Sequence, residues 1–266
     1  MNFKALIAAG ALLATQSFAI VGLGFHYAPG FGTKMKAAEP ATIADKVLLS
    51  HDGFDGTMQG FGFKAWVDIL PIIDIEATLN IQFGSYDASL WVENPADGSV
   101  SEIPLEIELG GTPFGKANPK FVAMTGDLSI TYPITFLPII RPYIGGGLSY
   151  HLNSFVLNQK FATSFIQPNT LDEVAKIVTD PETDNETKAQ LLQGKGEEMK
   201  TQIQDKALDE GLNTSIGGHI LVGTRAKLPI IPIAAYANFK YYIGGDYPDE
   251  IDAGNMTAEV GIGLAI

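Results

Sequence analysis

Apolar and polar residues alternate along most of the chain. In residues 60–69, for example, apolar side chains at the odd positions are separated by glycine, Lys64, Trp66 and Asp68. Because successive side chains of a strand point to opposite faces, this period of two predicts β-strands with one apolar and one polar face. Eight such strands are predicted, at residues 20–32, 60–69, 73–83, 124–134, 142–152, 216–228, 231–244 and 254–266.

The tetrapeptide Leu-Pro-Ile-Ile occurs three times, at residues 70–73, 137–140 and 228–231. Each copy lies between two of the alternating runs. Proline has a fixed φ and no N–H group, so it suits the corner of a tight turn and not the interior of a ladder. The three copies therefore predict three β-hairpins with short turns.

The connections between these hairpins are long, and they cover residues 33–56, 85–121, 153–215 and 245–253. Short turns at one end and long connections at the other predict an all-β, eight-stranded antiparallel up-and-down barrel. Residues 86–110 fit either a hairpin that extends beyond the barrel or two further full strands. The insertion 153–215 carries capping patterns, such as Thr170 followed by Glu173, that predict short helices.

Residues 1–19 have the features of a secretory signal peptide. Lys4 precedes ten apolar residues, and Ser17-Phe18-Ala19 supplies small residues for cleavage after Ala19. We therefore expect the barrel to comprise residues 20–266. Cysteine is absent, so an exported chain of this kind must derive its stability from its core or from a closed hydrogen-bonded barrel.

The charged residues of the predicted strands all fall on the polar face. Their equal numbers suit a narrow lumen, in which buried ions must be paired. We therefore predict a transmembrane barrel with an apolar exterior, and a soluble periplasmic barrel of the lipocalin type, apolar inside, is the alternative. The predicted lumenal network consists of Lys64, Asp68, Asp74, Glu76, Asp127, Arg141, Arg225, Lys227, Lys240 and Glu259.

The net charge of the chain is −13, and it resides in the long connections. Without Lys4, 16 cationic and 30 anionic residues remain, and the four connections carry −1, −4, −5 and −4 in chain order. Such loops attract divalent cations or basic surfaces, although an ordinary solvated loop has the same composition. Nucleic acid is excluded as a partner, because phosphate binding requires a basic surface.

Six inward-phased residues are candidates for contact with a ligand in the lumen. The histidines in this set also have the chemistry for metal binding, but their more common role is a hydrogen-bonded lumenal side chain. His151 and Ser154 lie on opposite strand faces, and the acidic segment 246–252 lacks the spacing of a calcium loop, so we predict no enzyme, metal or cofactor. The six candidates are His26, Trp66, Tyr143, His151, His219 and Tyr236.

The run Arg141-Pro142-Tyr143-Ile144-Gly145-Gly146-Gly147-Leu148, the strand count and the signal peptide resemble the small outer-membrane β-barrel family represented by the OmpA transmembrane domain, OmpX and OmpW. The resemblance implies an integral bacterial outer-membrane protein in contact with lipid, which we expect to be a monomer. Its role would be structural, surface-binding or narrow passage. The alternative is a conduit for small hydrophobic ligands, with its mouth shaped by residues 153–212 and lined by Trp66, Tyr143 and Tyr236.

Overall fold

The computed structural model describes residues 21–44, 47–68, 72–93, 99–105, 107–108, 116–118, 120–134, 139–154, 168–184, 187–188, 191, 194–195, 212–227 and 231–265. The predicted signal peptide lies outside these residues. Among the helices that the structure describes, none is long and apolar enough to cross a membrane.

Strands make up most of the described chain. In chain order they are β1 Val21–Tyr27, β2 Gly30–Phe31, β3 Lys34–Met35, β4 Ala38–Ala44, β5 Val47–His51, β6 Phe54–Asp55, β7 Gln59–Val67, β8 Asp74–Ser85, β9 Ala88–Glu93, β10 Val100–Pro104, β11 Ile107–Glu108, β12 Lys116–Ala117, β13 Lys120–Pro133, β14 Ile140–Ser154, β15 Leu212–Lys227, β16 Ile233–Gly244, β17 Ile251–Asp252 and β18 Met256–Ala265. A helix, α1, spans Pro168–Thr179.

Eight of these strands form a closed antiparallel barrel in the order β1, β7, β8, β13, β14, β15, β16, β18, and β18 pairs with β1 to complete the ring. This confirms the predicted fold class. The strands on both sides of each Leu-Pro-Ile-Ile copy pair with one another, as in Val67 with Ile75. The turn residues 69–71, 135–138 and 228–230 lie outside the described residues.

The barrel is apolar outside and polar inside. In β1 the outward Val21, Leu23 and Phe25 are each about half exposed or more, whereas the inward His26 is 1% exposed. Charged side chains such as Lys64 and Glu259 are buried in the lumen. The alternative of a soluble barrel with an apolar interior is therefore wrong for this chain. The outer face of a soluble barrel contacts water and is polar, whereas the outer face of this barrel is apolar.

The long connections contain strands of their own. A four-stranded sheet joins the first and second connections in the order β10, β9, β5, β4, and a three-stranded sheet has the order β17, β3, β6. The sequence predicted only a polar connection over residues 33–56, so the four strands β3–β6 were missed. Strands β9 and β10 pair antiparallel within the four-stranded sheet and add no strand to the barrel ring.

A hydrophobic cluster, here called the loop-end cap, lies where three of these connections meet above the lumen. Phe121 and Ala123 project inward from the loop end of β13, and side chains from the connections pack against them, with Phe54, Leu105 and Tyr247 at the edge. The loop end is therefore covered by apolar side chains. The loop-end cap comprises Met35, Met58, Tyr86, Ala88, Phe121, Ala123 and Ile251.

Helix α1 lies in the insertion 153–215. It begins at Pro168, two residues before the predicted cap Thr170, because proline is favoured in the first helical turn. Val174 is buried, and Lys176 lies in the last turn, where a cation interacts favourably with the helix dipole. Most of the remaining insertion lies outside the described residues.

Candidate functional site

The half of the lumen next to the hairpin turns contains a cluster of ion pairs centred on Glu76. One oxygen of this carboxylate lies 2.5 Å from the ammonium of Lys64, and the other lies 2.5 Å from the guanidinium of Arg225. Arg225 also reaches Asp68 at 2.9 Å, and Arg141 reaches the same carboxylate at 3.1 Å. Two carboxylates thus bind three cations: Glu76 is shared by Lys64 and Arg225, and Asp68 is shared by Arg225 and Arg141.

Asp74 adds a third carboxylate to this cluster. Its oxygens lie 3.7 Å from Arg141 and 3.8 Å from Arg225, longer than the other pairs. The cluster is built by adjacent strands: Trp66 is opposite Glu76, and Arg141 is opposite Arg225. Alternation directs these side chains inward, so the strand register is sufficient to assemble the cluster.

Aromatic rings surround the cations of this cluster. The guanidinium of Arg225 lies 4.7 Å from the centre of the Trp66 ring, and the ammonium of Lys64 lies 5.3 and 5.0 Å from the centres of the Tyr143 and Tyr236 rings. Such contacts stabilise desolvated cations. The rings are almost fully buried, so they pack on charged groups and do not line an open mouth.

The structure therefore places Trp66, Tyr143 and Tyr236 in the half of the lumen near the turns, and not at the loop-end mouth where the sequence analysis put them. The signal for their height was present. Trp66 lies five residues before Pro71, and Tyr143 lies five residues after Pro138, so counting from the turns gives the correct end. Whether these rings contact a ligand stays a prediction.

A second cluster surrounds Lys240, farther from the turns. Its ammonium lies 2.7 Å from Asp127 and 2.6 Å from Glu259, and all three side chains have no exposed surface. The hydroxyl of Tyr242 donates to Asp127 at 3.0 Å, and that of Ser149 donates to it at 2.7 Å. Asp127 is thus contacted by three side chains from two other strands, β14 and β16.

The two clusters are joined by neutral groups. Lys64 donates to the Tyr143 hydroxyl at 3.0 Å, which in turn donates to the Asn238 side chain at 2.5 Å. Asn238 donates to Glu259 at 2.7 Å. A continuous chain of polar contacts therefore runs from Asp68, near the turns, to Asp127.

Lys227 differs from the other predicted lumenal charges. It is half-buried at the last residue of β15, on the rim next to the turns, and it forms no ion pair with any residue that the structure describes. The other nine charged residues take part in the two clusters. Alternation predicts a lumenal direction for Lys227, and this stays a prediction because the residue ends β15 on the rim, away from the two clusters.

The histidines of the lumen are hydrogen-bonded. The ring nitrogens of His26 lie 2.9 Å from the Tyr236 hydroxyl and 2.6 Å from the Asn80 oxygen, and those of His219 each lie 2.8 Å from a serine hydroxyl. His151 contacts Thr125 at 3.3 Å. Within the described parts of the chain, no group of three or more metal-ligating side chains is arranged to hold an ion.

The loop end carries exposed charges and one buried histidine. Lys34 pairs with Asp55 at 2.9 Å, and this hydrogen bond raises the pKa of Lys34. His51, at the end of β5, is 3% exposed and packs against the Tyr86 ring, with 5.6 Å between ring centres. Burial lowers the pKa of His51, and the nearby carboxylates of Glu250 and Asp52 oppose this shift.

Closure of eight antiparallel strands, an apolar exterior and a charged, filled lumen define an integral outer-membrane β-barrel protein. The class follows from the polarity and the closure of the barrel itself.

Several solved structures have a similar fold. They include the outer membrane protein OprG of Pseudomonas aeruginosa (10% identity, TM-score 0.44, covering 94% of this chain and 96% of that one) and Ail, the attachment invasion locus protein of Yersinia pestis, in complex with the heparin analogue sucrose octasulfate (9% identity, TM-score 0.40, 92% and 97%). Neisserial surface protein A has 12% identity and a TM-score of 0.39, covering 92% of this chain and 97% of that one. No family model and no curated protein matches the chain.

Proposed function

We propose that this protein is a non-enzymatic membrane anchor that presents a folded, acidic binding surface at the loop end of its barrel. The observation that carries the proposal is the pairing of β5 with β9, which joins two separate connections next to the loop-end cap, to which Ala88 of β9 belongs. Connections that only linked strands would not need a shared sheet and core. The ordered structure of these two connections suits a preformed binding surface, because preorganisation lowers the entropic cost of binding.

The charge of this surface favours a cationic partner. Exposed acidic side chains come from different connections, including Glu39 in the first, Asp172 in the third and Asp249 in the fourth. The connections together carry all of the −14 charge of the chain without its predicted signal peptide. Acidic patches accelerate association with basic surfaces, and divalent cations are the other class of partner that they attract.

A binding experiment with a defined basic probe tests this proposal. The protein in nanodiscs should bind a decalysine peptide, with an affinity that falls as salt is raised. Glu39→Gln, Asp172→Asn and Asp249→Asn together should weaken binding several-fold, whereas Lys36→Gln and Lys176→Gln should strengthen it. Equal affinity for all three proteins would overturn the proposal.

The lumen supports anchoring and not wide diffusion. Lys64, Glu76, Lys240 and Glu259 have no exposed side-chain surface, so the interior is filled by paired charges. An eight-stranded barrel is only wide enough for its own side chains. In planar bilayers the protein should show no porin-like conductance, and stable large channels would contradict this part of the proposal.

Narrow passage is a second candidate, favoured by the continuous polar chain from Asp68 to Asp127. Such a chain suits protons or water more than hydrophobic ligands, whose conduit would need free aromatic surface. Proton entry into liposomes that contain the protein and a pH-sensitive dye tests it. A rate equal to that of empty liposomes would remove this candidate.

A further inference from the structure

A groove of about 600 Å³ crosses the lipid-facing wall of the barrel. Its floor is made of small outward-facing side chains, and its sides are made of large ones. The floor residues are Thr224 and Ala226 on β15 and Ala235 and Ala237 on β16, and the flanking residues are Ile140 on β14, Val260 and Ile262 on β18, and Phe25 and Tyr27 on β1.

The strand register aligns these residues in oblique rows. One row passes from Ile140 through Ala226, Ala235 and Ile262 to Phe25, each opposite the next on a neighbouring strand. Five strands at about 4.8 Å spacing give a length of about 19 Å. With a strand tilt of about 35–45° from the membrane normal, the two ends of the groove differ in membrane depth by roughly 11 to 13 Å. This difference is close to half of the about 30 Å hydrocarbon core.

The groove rises from the turn side of the barrel. Ile140 is the first residue of β14, directly after the turn, whereas Phe25 lies well inside β1. The groove therefore begins at the membrane surface next to the turns and ends near the middle of the bilayer. It occupies the depth of one leaflet.

The lining of the groove is almost entirely carbon. The lining also includes His26, Tyr27 and Tyr236, whose polar atoms are hydrogen-bonded to other barrel residues. The hydroxyl of Thr224 is buried and makes no hydrogen bond with the described residues. A surface of this composition in contact with hydrocarbon suits an alkyl chain, which needs shape complementarity and no polar partners.

A cation stands at the turn-side end of the groove. Lys227 directly follows the floor residue Ala226 and is the last residue of β15, so it lies on the rim between the lumen and the lipid-facing wall. It is half-buried and takes no part in the ion-pair clusters of the described residues. A lysine at a membrane interface extends its ammonium towards the head-group region. There it is placed to attract an anionic phosphate.

We infer that this groove binds a phospholipid of the turn-side leaflet, with one acyl chain along the floor and the phosphate near Lys227. The groove is continuous with the lipid-facing surface, so a membrane lipid reaches it without any opening of the barrel. The small floor residues let the acyl chain approach the barrel backbone more closely than the large side chains elsewhere on the lipid-facing wall do. This closer contact lengthens the time for which the lipid stays bound.

Photolabelling in nanodiscs of phosphatidylethanolamine and phosphatidylglycerol tests this inference. A phosphatidylglycerol with a diazirine on its acyl chain should label the segments 224–226 and 235–237 several-fold more than the exposed Leu79 and Leu128 on the other side of the barrel. Filling the floor by Ala235→Leu with Ala237→Leu should remove that preference. Ala77→Leu, at another outward alanine, should leave it unchanged.

A separate variant tests the predicted contact between Lys227 and the lipid head group. Lys227→Gln should reduce labelling by phosphatidylglycerol more than labelling by phosphatidylethanolamine with the same acyl probe. Each variant must first give the heat-dependent gel shift of a folded barrel. Uniform labelling around the wall, or crosslinks between two copies of the chain across the groove, would overturn the inference.

Discussion

The ammonium of Lys240 lies 2.6 Å from a carboxylate oxygen of Glu259, and neither side chain has any exposed surface. The two residues lie on the adjacent strands β16 and β18, and Asp127 completes the contact from β13 at 2.7 Å. One cation between two carboxylates cannot be removed without leaving buried negative charge. The stability of the barrel should therefore depend strongly on it.

Lys240→Met should lower the free energy of unfolding by about 3 to 5 kcal/mol, because it leaves Asp127 and Glu259 without their shared cation. Urea-induced unfolding in lipid vesicles measures this value. Lys227→Met is the matched control, since that lysine makes none of these pairs, and its cost should be below about 1 kcal/mol. Equal losses in the two variants would show that the clusters do not hold the lumen together.

Gly22→Ala should destabilise the barrel by about 1 to 3 kcal/mol, because a Cβ atom at this position would overlap the Trp66 ring. The same substitution at Gly126 meets no heavy atom within 4 Å and should cost nothing. Unfolding monitored by far-UV circular dichroism compares the two. A greater loss for Gly126→Ala would contradict the placement of Trp66 against β1.

Phe121→Ala should loosen the loop-end cap and leave the barrel intact. Phe121 is fully buried and packs against Phe54 with 6.3 Å between ring centres, and deleting a buried phenylalanine side chain costs about 3 to 5 kcal/mol. Trypsin cleavage at the exposed Lys34 and Lys36 should become faster. Phe63→Ala, on the lipid-facing wall, should not change the cleavage rate.

The sheet that contains His51 should lose stability in acid. Both ring nitrogens are buried without a hydrogen-bond partner among the described residues, and burial lowers the pKa of the folded imidazole below its ordinary value of 6.5. The unfolded segment therefore takes up its proton near pH 6.5, before the folded one does, so stability is present above that pH and is lost as the pH falls.

Hydrogen exchange of the β5 and β9 amides measures this effect. Protection should fall between pH 7.5 and pH 5 in the natural protein. In the His51→Leu variant the side chain at position 51 cannot be protonated, so the amides should keep the same protection at both pH values. A pH response that persists in His51→Leu would assign the effect to other groups, of which Asp52 and Glu250 are the nearest acids.

The barrel could be predicted from sequence because its strands and turns depend on residues that are close together in the chain. Alternation sets the face of each residue, so the lumenal position of Lys64 or Glu259 follows from counting by two, and the repeated Leu-Pro-Ile-Ile turns set the strand pairing. The loop sheets could not be predicted in this way. His51 is opposite Ala88, thirty-seven positions later, and no turn signal links the two.

The same difference explains the outcome for the site. The face of each residue follows from the sequence and, by counting from the turns, so does its approximate height along the barrel. The partners across the lumen do not follow from it, because they depend on the stagger of all eight strands. Tyr143 and Asn238 meet at 2.5 Å although they come from strands that are not adjacent. The loop-end cap likewise joins Met35 to Ile251, which a reading of consecutive residues does not connect.

The pairing of β1 with β18 has a consequence for biogenesis. The first barrel strand finds one of its two neighbours only when the last strand arrives, and that last strand also brings Glu259, the second carboxylate that contacts Lys240. Ring closure and lumenal neutrality are thus achieved in the same late event. Until then the chain has two unpaired strand edges, and Lys240 has Asp127 as its carboxylate partner without Glu259. Because unpaired edges do not occur in the hydrocarbon region, the barrel cannot be stably surrounded by lipid before β18 has docked.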